Sequence, residues 1–500
     1  VTKADIVEFV TKYYNDNYIV VYKKQGETER EHVTKPHISQ LPINRGQASD
    51  FYKELIEMPV SEIKPEFTDF GQIDQLSLNN DIPLKYMMNK ENNLFELYYV
   101  FDVGSLHDNQ LTLAVNYLSY LGAKGYPAED LQKEFYKIGC SFNVSTSEKQ
   151  VYVTLSGLDE NMKSGIKLFE FFLKNPVADR EAYDKLVQKI IKSRADRKTN
   201  KRTILTKGLV SYVKYGKESP FTDILSEDQL NDINPKNLVK KIKDLNIYAH
   251  RVLYYGPKSQ EDVVSLINKF HKGKGTKELP IMRTYPLMVL DTPKVYFVDY
   301  DMVQSEVLIL SKSIPFAADI IPQAKVFNEY FGGNMSSIVF QEIRESRALA
   351  YSVYSSYSIP NDTSKSNYVV SYIGTQSDKL PEALEGMNAL LDTMPESLAT
   401  FENSITSLKK QIGTSRVTKS GVLFQEEKLY SLGVTSDMNE KVYNYLDSVS
   451  LTDVVGFHKR YIQSSPRVYL VIGKKADIDW GELNKLGEVK ELTLEEVFGY

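Results

Sequence analysis

Three segments of this chain repeat one pattern, an amphipathic helix running through a short turn into an apolar strand. They are residues 1–24 (VTKADIVEFVTKYYNDNYIVVYKK), 233–258 (INPKNLVKKIKDLNIYAHRVLYYGPK) and 449–475 (VSLTDVVGFHKRYIQSSPRVYLVIGKK). Setting Val1 on Val449 brings Asp5, Val7, Phe9 and Tyr13 onto Asp453, Val455, Phe457 and Tyr461. The strands recur about every 220 residues, and self-similarity at a fixed period is the mark of a duplicated structural unit. Each copy is expected to close one domain. Residues 1–27 then read as the end of a preceding domain, 28–80 as a linker, 81–272 as a first complete domain and 273–490 as a second.

The interiors of the two complete segments agree with each other. At a shift of 210 residues ELYYVFDVG (96–104) lies on EVLILSKSI (306–314), both β-rich, and AVNYLSYLG (114–122) lies on AKVFNEYFG (324–332), both helical in period. Each segment then has another extended run before another helix. The expected fold is α+β: two similar domains, each a mostly antiparallel sheet with helices packed on one face. The stretch GETEREHVTKPHISQLPINRGQ is polar, contains prolines and lacks periodicity, as a linker does. Its His32 and His37 are five apart across Pro36, a spacing that does not put two imidazoles on one helix face. A shorter junction, 273–286, separates the two complete segments.

Composition narrows the function. A formal charge of -5, well mixed along the chain, favours neither nucleic acid nor an anionic membrane, and no apolar run reaches the ~20 residues of a membrane span. The basic helix DKLVQKIIKSRADRKTNKR (184–202) has acidic counterparts nearby and few aromatics, so it reads as a solvated face. The single cysteine, Cys140, excludes an internal disulfide and a cysteine-based zinc cluster, and reads as small core filler. There is no Gly-rich phosphate loop, serine elbow or CxxC.

The segment GGNMSSIVFQEIRESRALAYSVYSSY (332–357) closely resembles a signature of the inverted-motif zinc peptidases, the family of pitrilysin, insulin-degrading enzyme and the mitochondrial processing peptidase. The Gly-Tyr-Pro turn at 125–127, IGCSFNVSTS entering a strand, and SYVKYGKESPF (211–221) agree in order with that family. The resemblance implies four similar domains in two halves that enclose a chamber. The first domain holds zinc through H-x-x-E-H and a distal Glu, and the fourth reaches an Arg and a Tyr to the bound peptide. By the repeat count, this chain resembles the non-catalytic C-terminal half. Its implied partners are an N-terminal catalytic half, on the same or a separate polypeptide, and a peptide substrate.

Inverted zincin chemistry needs two neutral imidazoles one helical turn apart with a carboxylate beside them. The six histidines stand at 32, 37, 107, 250, 271 and 458, and none has a partner four residues on. The helix expected to carry the motif offers Val115, Leu118 and Ser119, and its copy offers Lys325, Asn328 and Glu329. No metal is therefore expected in this fragment, zinc belonging to the missing half, and the fragment alone is expected to be inactive. His107 and Asp108 could join a site built from distant residues, but Asp108 or Asn109 reads more simply as a helix cap.

The family's remote pair is Arg, six residues, then Tyr, which falls here on Arg344 and Tyr351. The resemblance implies that both bind substrate: Tyr351 bonds the scissile carbonyl while Arg344 holds the peptide main chain. Arg347 is an alternative contact, and the first complete segment has Glu134 and Ser141 at these places. Among the 34 tyrosines, clusters such as VYSSYS and YVVSY could grip peptide through ring faces and added strand pairing, although Tyr is also a good strand former. The alternative function is a peptide-binding or scaffold subunit with no part in catalysis.

Overall fold

The computed structural model describes residues 1–24, 26, 49–59 and 63–500. These form two compact units, Val1–Pro59 and Val60–Tyr500. The first holds helices α1 (Lys3–Tyr13) and α2 (Asp50–Glu57). A capping box between Thr2 and Asp5 starts α1, and Ser49 caps α2. Residues 18–24 join no sheet. The His32–His37 pair, with residues 28–48 and 60–62 of the expected linker, lies outside the described residues.

The second unit contains the two expected modules. The first runs β1 (Asp74–Ser77), β2 (Pro83–Met88), β3 (Leu94–Phe101), α3 (Leu111–Leu118), α4 (Ala128–Lys137), β4 (Cys140–Thr146), β5 (Val151–Leu158), α5 (Met162–Lys174) and α6 (Arg180–Lys198). A short α7 (Lys201–Thr203) then passes through a π-helical stretch, Ile204–Leu209, into α8 (Val210–Tyr215). After it come α9 (Glu227–Asp232), α10 (Pro235–Lys243), β6 (His250–Gly256) and α11 (Gln260–Phe270). The second module repeats the order. It runs β7 (Lys294–Asp299), β8 (Gln304–Pro315), α12 (Ile321–Phe331), a π-helical turn Phe340–Ser346, β9 (Ser352–Ser358) and β10 (Ser366–Gln376). It ends with α13 (Leu380–Asp392), α14 (Leu398–Thr414), α15 (Gly421–Ser431), α16 (Met438–Tyr445), α17 (Leu451–Tyr461), β11 (Val468–Gly473), α18 (Trp480–Leu486), β12 (Glu488–Leu492) and α19 (Leu494–Phe498).

Each module is one six-stranded sheet, ordered β1-β2-β6-β3-β5-β4 and β12-β7-β11-β8-β10-β9. The fold is α+β, as expected, and most strand pairs are antiparallel. The repeated helix–strand unit supplies the parallel pairs β2–β6 and β7–β11. The sheets differ at one edge, where β1 runs antiparallel to β2 but β12 runs parallel to β7.

Alternation along the strands divides each sheet between two cores. Phe95, Leu97, Tyr99 and Phe101 of β3 face the first module's own helices, as Tyr469 and Val471 of β11 face the second module's. The opposite faces are covered too, by helices exchanged between modules. On the first sheet, Val100, Leu253 and Tyr255 pack against Val422 and Leu423 of α15. On the second, Leu308, Leu310, Leu470 and Ile472 pack against Ile204, Leu205, Leu209 and Val213, with Val497 and Phe498 of α19. Charges frame both contacts. Lys85 and Arg251, on the first sheet, pair with Glu426 and Glu427 of α15. Lys201 reaches the buried Glu306 at 2.5 Å.

These contacts alter the expected boundaries. The linker does not extend to residue 80: Phe67 packs against Tyr443, Glu66 pairs with Arg416 at 3.0 Å, and Ile73 and Leu78 are buried. The first sheet begins at Asp74, ahead of residue 81, and the second module continues past 490 into α19. Irregular packing of this kind leaves no period in the sequence.

The outer edge of β9 is occupied. Asn328 accepts from the Tyr357 N–H at 2.6 Å and donates to the Tyr357 carbonyl at 3.0 Å, while the Ser355 N–H donates to the Gly332 carbonyl at 3.3 Å. These bonds engage the outer edge of β9 at Ser355 and Tyr357, where the sequence suggested strand addition. The tyrosines expected to grip peptide mostly pack. Tyr357 and Tyr368 are buried, and Tyr354 stacks on Tyr372 at 5.3 Å between centroids.

Gly208 tests the helix exchange. A side chain there would place its Cβ 2.4 Å from Val497 Cγ1. Gly208→Val should destabilise the protein by ~1–3 kcal/mol through overpacking, read as a lowered midpoint in chemical denaturation.

Candidate functional site

The segment carrying Arg344 and Tyr351 is held by its backbone. After the π-helical turn, Ala348 adopts φ 49, and the Leu349 N–H closes onto the Ile343 carbonyl at 2.9 Å. Ile343, Leu349 and Ala350 are buried, and the Thr375 hydroxyl donates to the Leu349 carbonyl at 2.5 Å. The Tyr351 N–H donates to the Gly374 carbonyl at 2.8 Å, aligning the start of β9. Arg344 and Tyr351 emerge together from this framework. The guanidinium carbon lies 5.8 Å from the Tyr351 ring centroid and 4.7 Å from that of Phe340. Tyr351 is 75% exposed. Arg347 lies instead over Gly386 of α13. Phe340, Thr375 and Gly374 were not anticipated. Pairing β9 with β10 in register would have placed Gly374 opposite Ser352.

The corresponding places in the first module hold nothing comparable. Glu134 pairs with Lys137 at 2.6 Å, and the Ser141 hydroxyl meets that of Ser156 across β4 and β5.

Two of the three degenerate motif positions are buried. Val115 and Leu118 point into the first core, and only Ser119 is exposed, its hydroxyl donating to the Asn116 carbonyl. The side chains of α3 that line a cleft include Thr112, Asn116 and Ser119. In α12, Asn328 is committed to Tyr357, and the buried Glu329 accepts from Gln411. These residues do not fit a zinc ion: neither helix carries an imidazole or thiolate. Among the described residues no cluster of three or more His, Cys, Asp or Glu side chains could hold a metal. His107 accepts from the Gly104 N–H at 3.1 Å, and burial lowers its pKa. Asp108 pairs with Lys241 at 2.5 Å and accepts from the Gln110 N–H in the turn ahead of α3, so it is not the expected helix cap: the N-cap of α3 is Gln110, which makes no side-chain cap bond. Cys140 is buried beside Gly165, and desolvation pushes its thiol up to about 11, in keeping with core filler.

Two imidazoles do meet, 21 residues apart. His250 Nε2 and His271 Nε2 are 2.8 Å apart, a hydrogen-bond distance. Their other nitrogens are taken: His250 Nδ1 donates to the Tyr248 carbonyl, and His271 Nδ1 faces Glu170 at 2.8 Å. With Nδ1 of neutral His250 as the donor, its Nε2 accepts from His271. The lone pairs that a metal would need are spent on this line of hydrogen bonds.

Comparison with known proteins agrees with this construction. Residues 89–218 match the family described as insulinase, peptidase family M16, and residues 251–400 match the peptidase M16 inactive domain, together more than half the chain. The chain belongs to the M16 peptidase family. An uncharacterized zinc protease of Bacillus subtilis, YmxG, is 24% identical over 381 residues, covering 71% of this chain and 88% of its own length. The M16 inactive domain from Pseudomonas fluorescens superposes with a TM-score of 0.61 at 14% identity, over 81% of this chain and 99% of its own. The periplasmic protease PqqL of Escherichia coli gives 0.65 at 14% identity over 95% of this chain, which spans only 51% of PqqL. With an inactive-domain match and no H-x-x-E-H, this M16 chain is a half of the non-catalytic kind. Among the described residues no helix is long and apolar enough to cross a membrane.

The buried histidines give a pH dependence. Burial depresses His250 to about 4, from an unfolded value of ~6.5. The unfolded chain therefore takes up this proton first as pH falls, so the contribution is present above about 6.5 and is lost towards pH 4. The stability difference between wild type and His250→Gln should shrink over that window, by on the order of 1–3 kcal/mol, in denaturant titrations at pH 7 and pH 4.5.

Proposed function

We propose that this chain is the half of a two-half zinc endopeptidase that encloses extended peptide in a chamber and lends Arg344 and Tyr351 to an active site whose zinc lies on the N-terminal half. The observation that most supports this is the anchored turn that keeps a guanidinium and an exposed phenol within 5.8 Å of each other. In this reading the Tyr351 hydroxyl donates to the scissile carbonyl oxygen as negative charge grows there. A donor held in place beforehand needs little reorganisation during reaction. Arg344, steadied on the Phe340 ring, presents several coplanar N–H groups to the peptide carbonyls. The half alone does not hydrolyse peptides.

The first unit supports a partner of the same kind. Its Thr2/Asp5 capping box is repeated by Ser450/Asp453 at the head of α17. Ile6, Phe9 and Tyr13 are exposed, whereas their repeat counterparts Val454, Phe457 and Tyr461 are buried in the second core. Residues 1–27 are therefore read as the closing unit of another such domain.

One observation favours the alternative, a scaffold: the ring contacts of Arg344 are internal to this chain. Mixing the protein with a catalytic half distinguishes the readings. Restored cleavage that falls ~10²-fold in Tyr351→Phe is the expected result. Cleavage unchanged in that variant would identify a peptide-binding subunit without a catalytic part.

A further inference from the structure

A cavity of about 570 Å³ opens between α3 and α6, on the cleft-facing side of the helix where a catalytic copy would carry its zinc motif. Its walls carry four cations, Lys189, Arg194, Arg197 and Arg283, and one carboxylate, Asp223. Asp223 is already occupied. Arg283 Nε donates to it at 2.6 Å, and the Tyr285 hydroxyl donates to the same oxygen.

The other three cations have no carboxylate of the described residues within ion-pair distance. Lys189 donates to the Tyr120 hydroxyl at 3.2 Å, Arg194 to the Leu225 carbonyl at 2.7 Å, and Arg197 lies over the Phe221 ring at 5.3 Å. Helix-dipole stabilisation accounts for Arg197, which lies in the last turn of α6, but not for Lys189 two turns earlier. Burial lowers the Arg194 pKa, with Tyr500 and Glu227 acting to raise it and Arg197 to lower it. Asp223 compensates Arg283, and Lys189 and Arg197 are left without a carboxylate partner among the described residues. Between them lie the neutral donors and acceptors of Thr112, Asn116 and Ser193, over an apolar floor of Leu113, Leu186 and Ile190. The basic stretch of α6, which read as a solvated face, is thus one wall of a concave site.

We propose that this cleft is a carboxylate-binding subsite for peptide, taking an acidic side chain or a chain-terminal carboxylate flanked by apolar residues. The logic of the cleft is inverted relative to a zinc-holding copy. Where such a copy presents ligands to a cation, this one presents cations to an anion, and the apolar floor separates a peptide carboxylate from a fully hydrated inorganic one. Charge-assisted hydrogen bonds from guanidinium to carboxylate are the strong class, and a partly desolvated cleft strengthens them. The assignment rests on the peptide-binding reading above and names the class of peptide preferred.

The test measures binding by the 500-residue chain alone, so its outcome does not depend on restored cleavage. Three labelled ten-residue peptides of Leu, Ala, Gly and Tyr are compared by fluorescence anisotropy at low salt. One has a central Glu and an amidated end, one a central Gln and a free carboxylate, and one a central Gln and an amidated end. At least one carboxylate peptide should bind tenfold or more tighter than the third. Tight binding of the first alone assigns the acidic side chain, and of the second alone the chain end. In the Lys189→Gln/Arg197→Gln double variant the advantage should fall to within twofold. Both positions are exposed, so circular dichroism should be unchanged. Ser193→Asp, placing a carboxylate inside the cleft, should reduce the advantage by occupying the site. Equal binding of all three peptides overturns the proposal. So does an advantage that survives in the double variant.

Discussion

The architecture depends on reciprocal closure of two sheets. A sheet has two faces, and the helices of its own module cover one. Without the exchanged helices, Val100 and Leu253 in one module and Leu308, Leu470 and Ile472 in the other would face water. Apolar burial at roughly 25 cal/mol per Å² makes such faces expensive to expose. Each module meets the need with a helix from its neighbour, α15 in one direction and the 201–215 segment in the other. The ion pairs of Lys85 and Arg251 with Glu426 and Glu427 add directional matching more than net stability, since half-buried charges must first lose water.

This closure also supports the candidate site. Thr375 and Gly374, which hold the turn bearing Arg344 and Tyr351, belong to β10, and β10 pairs along its length with β8. β8 is in turn covered by the exchanged segment from the first module. The position of the half-buried Arg344 and the exposed Tyr351 is therefore fixed by strands and a helix apart from them in sequence. The wide π-helical turn that contains Arg344 serves the same placement. Such turns insert a residue and rotate the helix beyond the insertion, and they recur where a side chain must be aimed.

Much of this could be read from the sequence because duplication writes a period into it. The helix–strand copies, the α+β class and the Arg344–Tyr351 spacing are legible from local pattern or from a motif. The features that escaped reading have no local signature. The phase of α3 is one case. Successive side chains on a helix are 100° apart, and the apolar pattern alone did not show that Val115 and Leu118 are buried while Thr112 and Asn116 line a cleft. The histidine pair is another, since 21 residues and two elements separate His250 from His271 and no helical spacing relates them. The packing of residues 63–80 is a third, because Phe67, Ile73 and Leu78 are anchored singly along an irregular path.

The occupied edge of β9 has a wider consequence. Exposed sheet edges are where folded proteins recruit further strands from other copies, the first step toward ordered aggregates. Here Asn328 of α12 and Gly332 just past its end already engage the Tyr357 N–H and carbonyl and the Ser355 N–H. Along that side the sheet therefore meets an incoming strand with backbone groups at Ser355 and Tyr357 already engaged, which disfavours its growth into a larger assembly.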